Sequence, residues 1–94
     1  LALAWENKRL LLGESLPADV ERGLQNVVSS HPAVVHVDSF RTVFFGPQEA
    51  MVAIEASLDK GLTTEEVDDA IREIEDKLGE ADSRVSMVYL EPEL

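Results

Sequence analysis

The stretch EAMVAIEASLDKGLTTEEVDDAIREIEDKLG, residues 49–79, decides the fold because a clear strand is followed in it by a clear helix. Alternate residues of its first part are apolar, which predicts a strand with one buried face. The predicted buried positions are Ala50, Val52, Ile54, Ala56 and Leu58. Thr63-Thr-Glu-Glu66 then has the pattern of a capping box and begins a helix that Gly79 would end. The apolar positions of this helix are Val67, Ile71, Ile74 and Leu78.

The segments on either side of this stretch predict two more strands. A β-rich run from Val34 to Phe45 comes before it, and Gly46-Pro47-Gln48 between the two runs predicts a hairpin turn. The apolar residues of the earlier run change parity, so we expect a bulge near Asp38-Ser39 that restores a single buried face. After the helix, Val85 to Leu90 predicts a last strand, which Pro92 would end.

A first helix is predicted to begin near Pro17, where a missing N–H has no effect on helical hydrogen bonding. Its apolar stripe consists of Val20, Leu24, Val27 and Val28. Ser29-Ser-His-Pro32 would stop it. The element order is therefore αββαβ. It predicts an α+β two-layer sandwich in which a three-stranded mixed sheet carries both helices on one face and the third strand is parallel to the second.

Composition limits the classes of function. The 94 residues make one domain, and 45% of them are hydrophobic, so the chain is not disordered. Acids outnumber bases 19 to 8, for a net charge of -11, which excludes nucleic acid as a partner because phosphate binding needs a basic face. The chain has no cysteine, so disulfides and thiolate metal sites are excluded.

No catalytic constellation is present, and we expect no enzymatic activity. Serines near the histidines lack a nucleophile elbow, and the dispersed glycines form no phosphate loop. His31 lies in the turn that ends the first helix, which favours a local structural role, and His36 is expected to be a surface or edge residue of its strand. The acidic second helix is expected to present a solvated face, and its carboxylates suit hard cations better than zinc.

The first residues allow two interpretations. Leu1-Ala-Leu-Ala-Trp5 followed by Lys8 and Arg9 is typical of the last turn of a membrane helix with an interfacial tryptophan and cytoplasmic positive charges. A short amphipathic leader helix that packs on its own domain would have the same pattern.

Three phrases carry a resemblance to a known family. They are Glu6-Asn-Lys-Arg-Leu-Leu-Leu-Gly-Glu14, His31-Pro-Ala-Val-Val35 and Arg41-Thr-Val-Phe-Phe-Gly-Pro47. In this order and spacing they resemble the junction and cytoplasmic tail of the cation diffusion facilitators, membrane proteins that exchange divalent metal ions for protons. The resemblance implies a ferredoxin-like, metallochaperone-like fold. It also implies that residues 1–13 are the end of the last membrane helix and a linker, and that residues 14–94 are a C-terminal regulatory and dimerisation domain.

The resemblance further implies partners and a location. The domain would form a homodimer, attach to a transmembrane domain of the same chain and lie at the cytoplasmic face of the cell membrane. The parent protein would be a proton-coupled efflux transporter of zinc or a similar divalent ion. An apolar patch for dimerisation is expected from Val43, Phe45, Met51 and Val88. The alternative function is a free-standing soluble α+β protein-interaction module that uses a strand edge or its acidic helix.

Many tails of this family bind metal ions at a dimer-related site of histidines and acids. The resemblance places Asp38, Asp68 and Glu91 at ligand positions, with Tyr89 and Ile54 where the family has histidines. Because the nitrogen donors are missing, we expect that the site has been lost. The weaker alternative is an oxygen-only site of the three acids. No cofactor is then required, and zinc or another divalent cation would bind weakly.

Overall fold

The computed structural model describes residues 14–93, which form two helices and three strands in the order αββαβ. Helix α1 spans Ala18–Ser29, strand β1 Val34–Gly46, strand β2 Glu49–Leu58, helix α2 Thr64–Ala81 and strand β3 Val85–Glu93. The expected end of a membrane helix at residues 1–13 lies outside the described residues. Among the residues that are described, no helix is long and apolar enough to span a bilayer.

The three strands form one mixed sheet in the order β1-β2-β3. Strand β1 pairs antiparallel with β2, and β2 pairs parallel with β3, as predicted for strands joined by a hairpin and then by a helix. Strand β2 is central and has the bounds that its alternation predicts. The α+β two-layer fold is confirmed.

The core lies between one face of the sheet and the two helices. All five predicted positions of β2 are buried, and the first four of them pack in one cluster with Leu24 and Val28 of α1 and with Ile74 and Leu78 of α2. The alternation of β2 and the helical stripes therefore point into one core, as the sequence predicts. Ala70 completes the buried stripe of α2, although it was not among the predicted apolar positions.

The beginning of α2 is as predicted, but its end is not. The Thr63 hydroxyl accepts a hydrogen bond from the Glu66 amide at 3.1 Å, and the Glu66 carboxylate accepts one from the Thr63 amide at 2.8 Å, which completes the capping box. Gly79 was expected to end the helix, yet α2 continues to Ala81. The ending comes from Asp82 instead, whose extended backbone leaves the helix while its amide still bonds to the Leu78 carbonyl.

The outer strands differ from the prediction in their ends and in their register. Strand β3 does not end at Leu90, because Pro92 stays in the strand and pairs with Ala56. Proline fits there because β3 is an edge strand and needs no amide donor on its free side. The expected bulge at Asp38 is present, but β1 has two further register shifts, one of which turns Val35 outward to 70% exposure.

The chain preceding α1 is fixed to strand β1. Leu16 is buried, and its amide donates to the hydroxyl of Thr42 at 2.9 Å. The Thr42 amide donates to the Glu21 carboxylate at 3.1 Å, and the Thr42 hydroxyl donates to the same oxygen. The Phe44 amide donates to the Glu14 carbonyl at 2.8 Å. Thr42 is 1% exposed, so these bonds satisfy a polar side chain inside the core.

Candidate functional site

One side of the sheet, which we call the open face, is not covered by either described helix. Three rows of cross-strand partners form it: the apolar row Val43–Met51–Met87, the middle row Arg41–Ala53–Tyr89 and the acidic row Ser39–Glu55–Glu91. Residues of all three rows line one shallow depression. Because strand residues alternate between faces, these positions are the complement of the buried ones.

The open face exposes large apolar side chains. Met87 is 54% exposed and Tyr89 is 60% exposed, and Val43 and Met51 beside them are half-buried. The sequence predicted that Val88 belongs to this patch, and that prediction is wrong. Val88 pairs with Val52 and packs against the core. Met87 and Tyr89 were not assigned to this patch, because the phase of β3 is set by its parallel pairing with β2, which the sequence of β3 alone does not specify.

Three carboxylates converge at the acidic end of the open face. Glu55, Glu91 and Glu93 are exposed, and ligand oxygens from the three lie within 4.8 Å of one another. The convergence follows from register, since Glu55 pairs with Glu91, and Glu93 is two residues farther along the same face of β3. Of these three acids the sequence predicted only Glu91. The i, i+2 spacing of Glu91 and Glu93 was the signal for the second acid on β3.

Asp38 lies near this acidic end. The Ser57 hydroxyl donates to Asp38 Oδ2 at 3.0 Å, and His36 Nε2 lies 3.5 Å from Asp38 Oδ1. Ser57 pairs with Glu93 across the sheet, so Asp38 belongs to the same end of the molecule as the glutamate group. His36 is exposed, as expected, and Asp38 is the acid beside it.

Asp68 is on a different layer. It is an exposed residue of α2, and α2 packs on the covered face of the sheet. Within residues 14–93 no group of three close ligands in one protomer combines Asp68 with Asp38 and Glu91. The structure therefore brings two of the three predicted ligands to one end of the open face, and it places the third elsewhere.

Ile54 does not occupy a ligand position on the open face. It is 1% exposed, pairs with Phe40 and Leu90, and points toward the helices. The residue of β2 that faces the acidic end is its neighbour Glu55. The interpretation of Ile54 as a lost donor is therefore wrong, and the reason is the two-residue period of the strand, in which a shift of one position changes the face.

His31 has the structural role that the sequence favoured. Its side chain is 8% exposed, its Nδ1 accepts a hydrogen bond from the Ala33 amide at 3.0 Å, and its Nε2 lies 2.7 Å from the Glu73 carboxylate. With Nδ1 acting as acceptor, the proton of the neutral ring is on Nε2 and is donated to Glu73. His31 thus connects the turn after α1 to helix α2.

The donor set of the open face suits hard cations and does not fit a zinc centre. Zinc sites in proteins normally use several imidazole or thiolate ligands, whereas the close donors here are three carboxylates. His36 is the single imidazole nearby, and within the described range it joins no group of three ligands. The carboxylates are exposed, so water competes for any ion that they contact.

Comparison with known proteins identifies the family. The family model described as the cytoplasmic domain of cation efflux proteins matches residues 16–93. The chain belongs to this family, the cation efflux proteins. The resemblance to the cation diffusion facilitators is thereby confirmed, and the coarse function follows: this is the cytoplasmic dimerisation domain of a cation efflux family.

Solved structures of the MamM CTD share the fold of this cation efflux domain. One substituted MamM CTD superimposes with a TM-score of 0.71 at 16% identity, covering 80% of this chain and 90% of that one. A nickel form gives a TM-score of 0.73 at 16% identity, covering 82% and 96%. A cadmium form gives 0.72 at 16% identity, covering 81% and 94%. No sequence among the curated proteins matches this chain significantly.

Proposed function

We propose that this cation efflux domain dimerises and regulates a proton-coupled transporter of zinc or a similar divalent ion. The observation that carries the proposal is the family match over residues 16–93, which includes every helix and strand of the described chain. An unpaired sheet face with exposed apolar side chains supports a role in association, because such surfaces are uncommon on monomeric proteins.

We also propose the division of the chain that the sequence suggests. Residues 1–13 would be the end of the last membrane helix and its linker, and residues 14–94 the regulatory domain at the cytoplasmic face of the cell membrane. The bonds that fix Leu16 and Glu14 to strand β1 support this division, because they place the first described residues in direct contact with the sheet. Movement of the chain that precedes Glu14 would then act on β1 through these bonds.

For metal ions we propose weak binding without a resident ion. Asp38, Asp68 and Glu91 remain the candidate ligands, with loss of a high-affinity site favoured. The nickel and cadmium forms of the MamM CTD support binding of divalent ions by this fold. The exposed, oxygen-only character of the glutamates on the open face supports low affinity here.

The test is transport by the full-length protein in proteoliposomes. We expect a divalent ion, zinc among those tried, to move in the direction opposite to the flow of protons down an imposed gradient. We expect collapse of that gradient to stop the movement. A variant of the full-length protein that lacks residues 14–94 shows whether the domain is needed for activity. If the reading frame begins with a methionine immediately before Leu1, or if no divalent ion is transported, the proposal is wrong and the free-standing interaction module is favoured.

A further inference from the structure

We propose that the turn between β1 and β2 contacts the headgroup region of the bilayer, with Phe45 as its apolar side chain. We call this turn, residues 45–48, the hairpin tip. The partner is a surface of zwitterionic lipid. The inference rests on the proposed division of the chain, in which residues 1–13 end a membrane helix, and it adds an orientation of the sheet and a point of contact.

The chain enters the domain from the side of the hairpin tip. The Phe44 amide donates to the Glu14 carbonyl at 2.8 Å, and the Leu16 amide donates to the Thr42 hydroxyl at 2.9 Å. The later residue of this segment therefore meets the earlier residue of the strand, which means that residues 14–16 run antiparallel to β1. Followed backward, the same path leads from Phe44 toward the tip. The chain that precedes Glu14 thus arrives at this end of the sheet.

The length of the preceding segment places the hairpin tip close to the lipid. Lys8 and Arg9 carry the positive charges expected at the level of the headgroups, and Arg9 is five residues before Glu14. Five residues span at most about 17 Å even when fully extended. From Phe44, which is bonded to Glu14, the strand continues toward the tip at about 3.3 Å per residue. These lengths leave a gap of roughly 10 Å at most, which any shortening of the linker closes.

The hairpin tip has the surface chemistry of an interfacial contact. Phe45 is 45% exposed, and the register shift between Phe44 and Gly46 leaves it without a cross-strand partner. The four residues Phe45-Gly46-Pro47-Gln48 include no charged side chain, although the chain as a whole carries a net charge of -11. A phenylalanine ring gains free energy at the boundary between headgroups and acyl chains, whereas charged side chains stay in water.

Charge selects a zwitterionic lipid as the partner. Glu14 and Glu49 lie beside the tip and are exposed, so they can meet the ammonium groups of phosphatidylcholine. An anionic leaflet would repel a domain of charge -11. The converging acids Glu55, Glu91 and Glu93 lie toward the opposite end of the strands, so a contact through the tip also keeps them away from the lipid.

A second copy of the chain is the main competing partner, because the expected dimerisation patch also includes Phe45. The apolar row of the open face, Val43–Met51–Met87, is continuous across the three strands. Phe45 lies beyond that row, on the side from which the preceding chain arrives. This position favours the lipid over the second copy.

Photocrosslinking in the full-length protein tests the contact. Phe45→p-benzoylphenylalanine and Gln48→p-benzoylphenylalanine each place a benzophenone at the tip. Val35→p-benzoylphenylalanine is the matched control, since Val35 is 70% exposed and lies near the other end of β1, about 30 Å away. Each variant is reconstituted in phosphatidylcholine vesicles, checked for transport, irradiated and analysed by mass spectrometry. We expect phospholipid adducts at least about fivefold more often at the tip than at the control position.

Each product decides the question. Adducts with lipid at the tip, and few at position 35, support the contact. Equal lipid labelling at both ends of β1, no adduct at either tip position, or a crosslink to a second copy or to the transmembrane domain in place of lipid overturns the inference. With transport retained, all of these leave the proposed function intact. A parent protein that alkaline carbonate extracts from the vesicles has no membrane anchor, and that result overturns both.

Discussion

Thr42 shows how a single polar residue connects the beginning of the domain to the sheet. Its hydroxyl accepts from the Leu16 amide and donates to Glu21, inside a core where it is the one buried polar residue of the described chain. Thr42→Val keeps the shape and leaves the buried Leu16 amide without a partner. We expect a loss of about 1–3 kcal/mol in the free energy of unfolding, measured by urea denaturation. The control Thr64→Val, at an exposed position, should change it little; equal effects would contradict this role.

The metal-binding prediction also belongs to single residues. Exposed carboxylates attract divalent ions through their summed charge, and that attraction is strongly reduced by salt, whereas direct coordination is reduced less. We expect calorimetry with zinc or manganese in about 0.5 M sodium chloride to show no saturable site. Glu55→Ala and Asp68→Ala distinguish the two candidate places. A saturable site that either substitution abolishes would show that the acids coordinate an ion directly.

The sequence predicts which face a strand residue occupies only where the strand's own alternation of apolar and polar residues is unbroken. Strand β2 was predicted in full because its alternation is unbroken. In β1, two register shifts beyond the expected bulge turn individual residues around, as Val35 shows. The assignment of Ile54 to a ligand position was wrong by one residue, which in a strand means the opposite face. The convergence of Glu55 with Glu91 and Glu93 was missed because it depends on the relative register of two strands, which is a tertiary property.

At the scale of elements, the junction between α2 and β3 depends on one ion pair. Arg84 donates to Asp82 through Nη2 at 2.7 Å and through Nε at 3.0 Å, and the Arg84 amide donates to the same carboxylate at 2.9 Å. The hydrogen bond from the Arg84 side chain lowers the pKa of Asp82 below its ordinary value of 3.8. The Arg84 carbonyl accepts from the Ala50 amide, so this turn also holds the start of β3 against β2.

The lowered pKa of Asp82 predicts how stability depends on pH. Its stabilising contribution is complete above the ordinary value of 3.8 and is lost as the pH falls through the lower pKa of the folded state. We expect Asp82→Asn to reduce the free energy of unfolding by about 1 kcal/mol at neutral pH, with the difference from the parent disappearing in acid. Thermal unfolding between neutral and acidic pH measures it. Asp69→Asn, which breaks an exposed pair with Arg72, is the control and should have little effect at any pH.

The elements themselves were largely predictable because local signals agree with the tertiary structure. The capping box, the two helical stripes and the alternation of β2 each specify an element and its buried face at once. Element ends were less predictable. Gly79 suggested an end for α2 that the Asp82 turn provides instead, and Pro92 suggested an end for β3 that an edge strand does not require. Both depend on neighbours distant in sequence.

For the whole molecule, net charge opposes the association that the open face favours. Two copies that each carry a charge of -11 repel one another, while the apolar and middle rows gain from contact. Salt screens this long-range repulsion, and it also weakens any ion pair that forms across the interface. Because the repulsion sums over many more charges, we expect dimerisation to strengthen as sodium chloride rises from about 0.05 M to about 0.5 M. Sedimentation at tens of micromolar, with chelator present, measures the effect. Dissociation on adding salt would show that local ion pairs dominate the interface, and a monomer at the higher salt would contradict dimerisation itself.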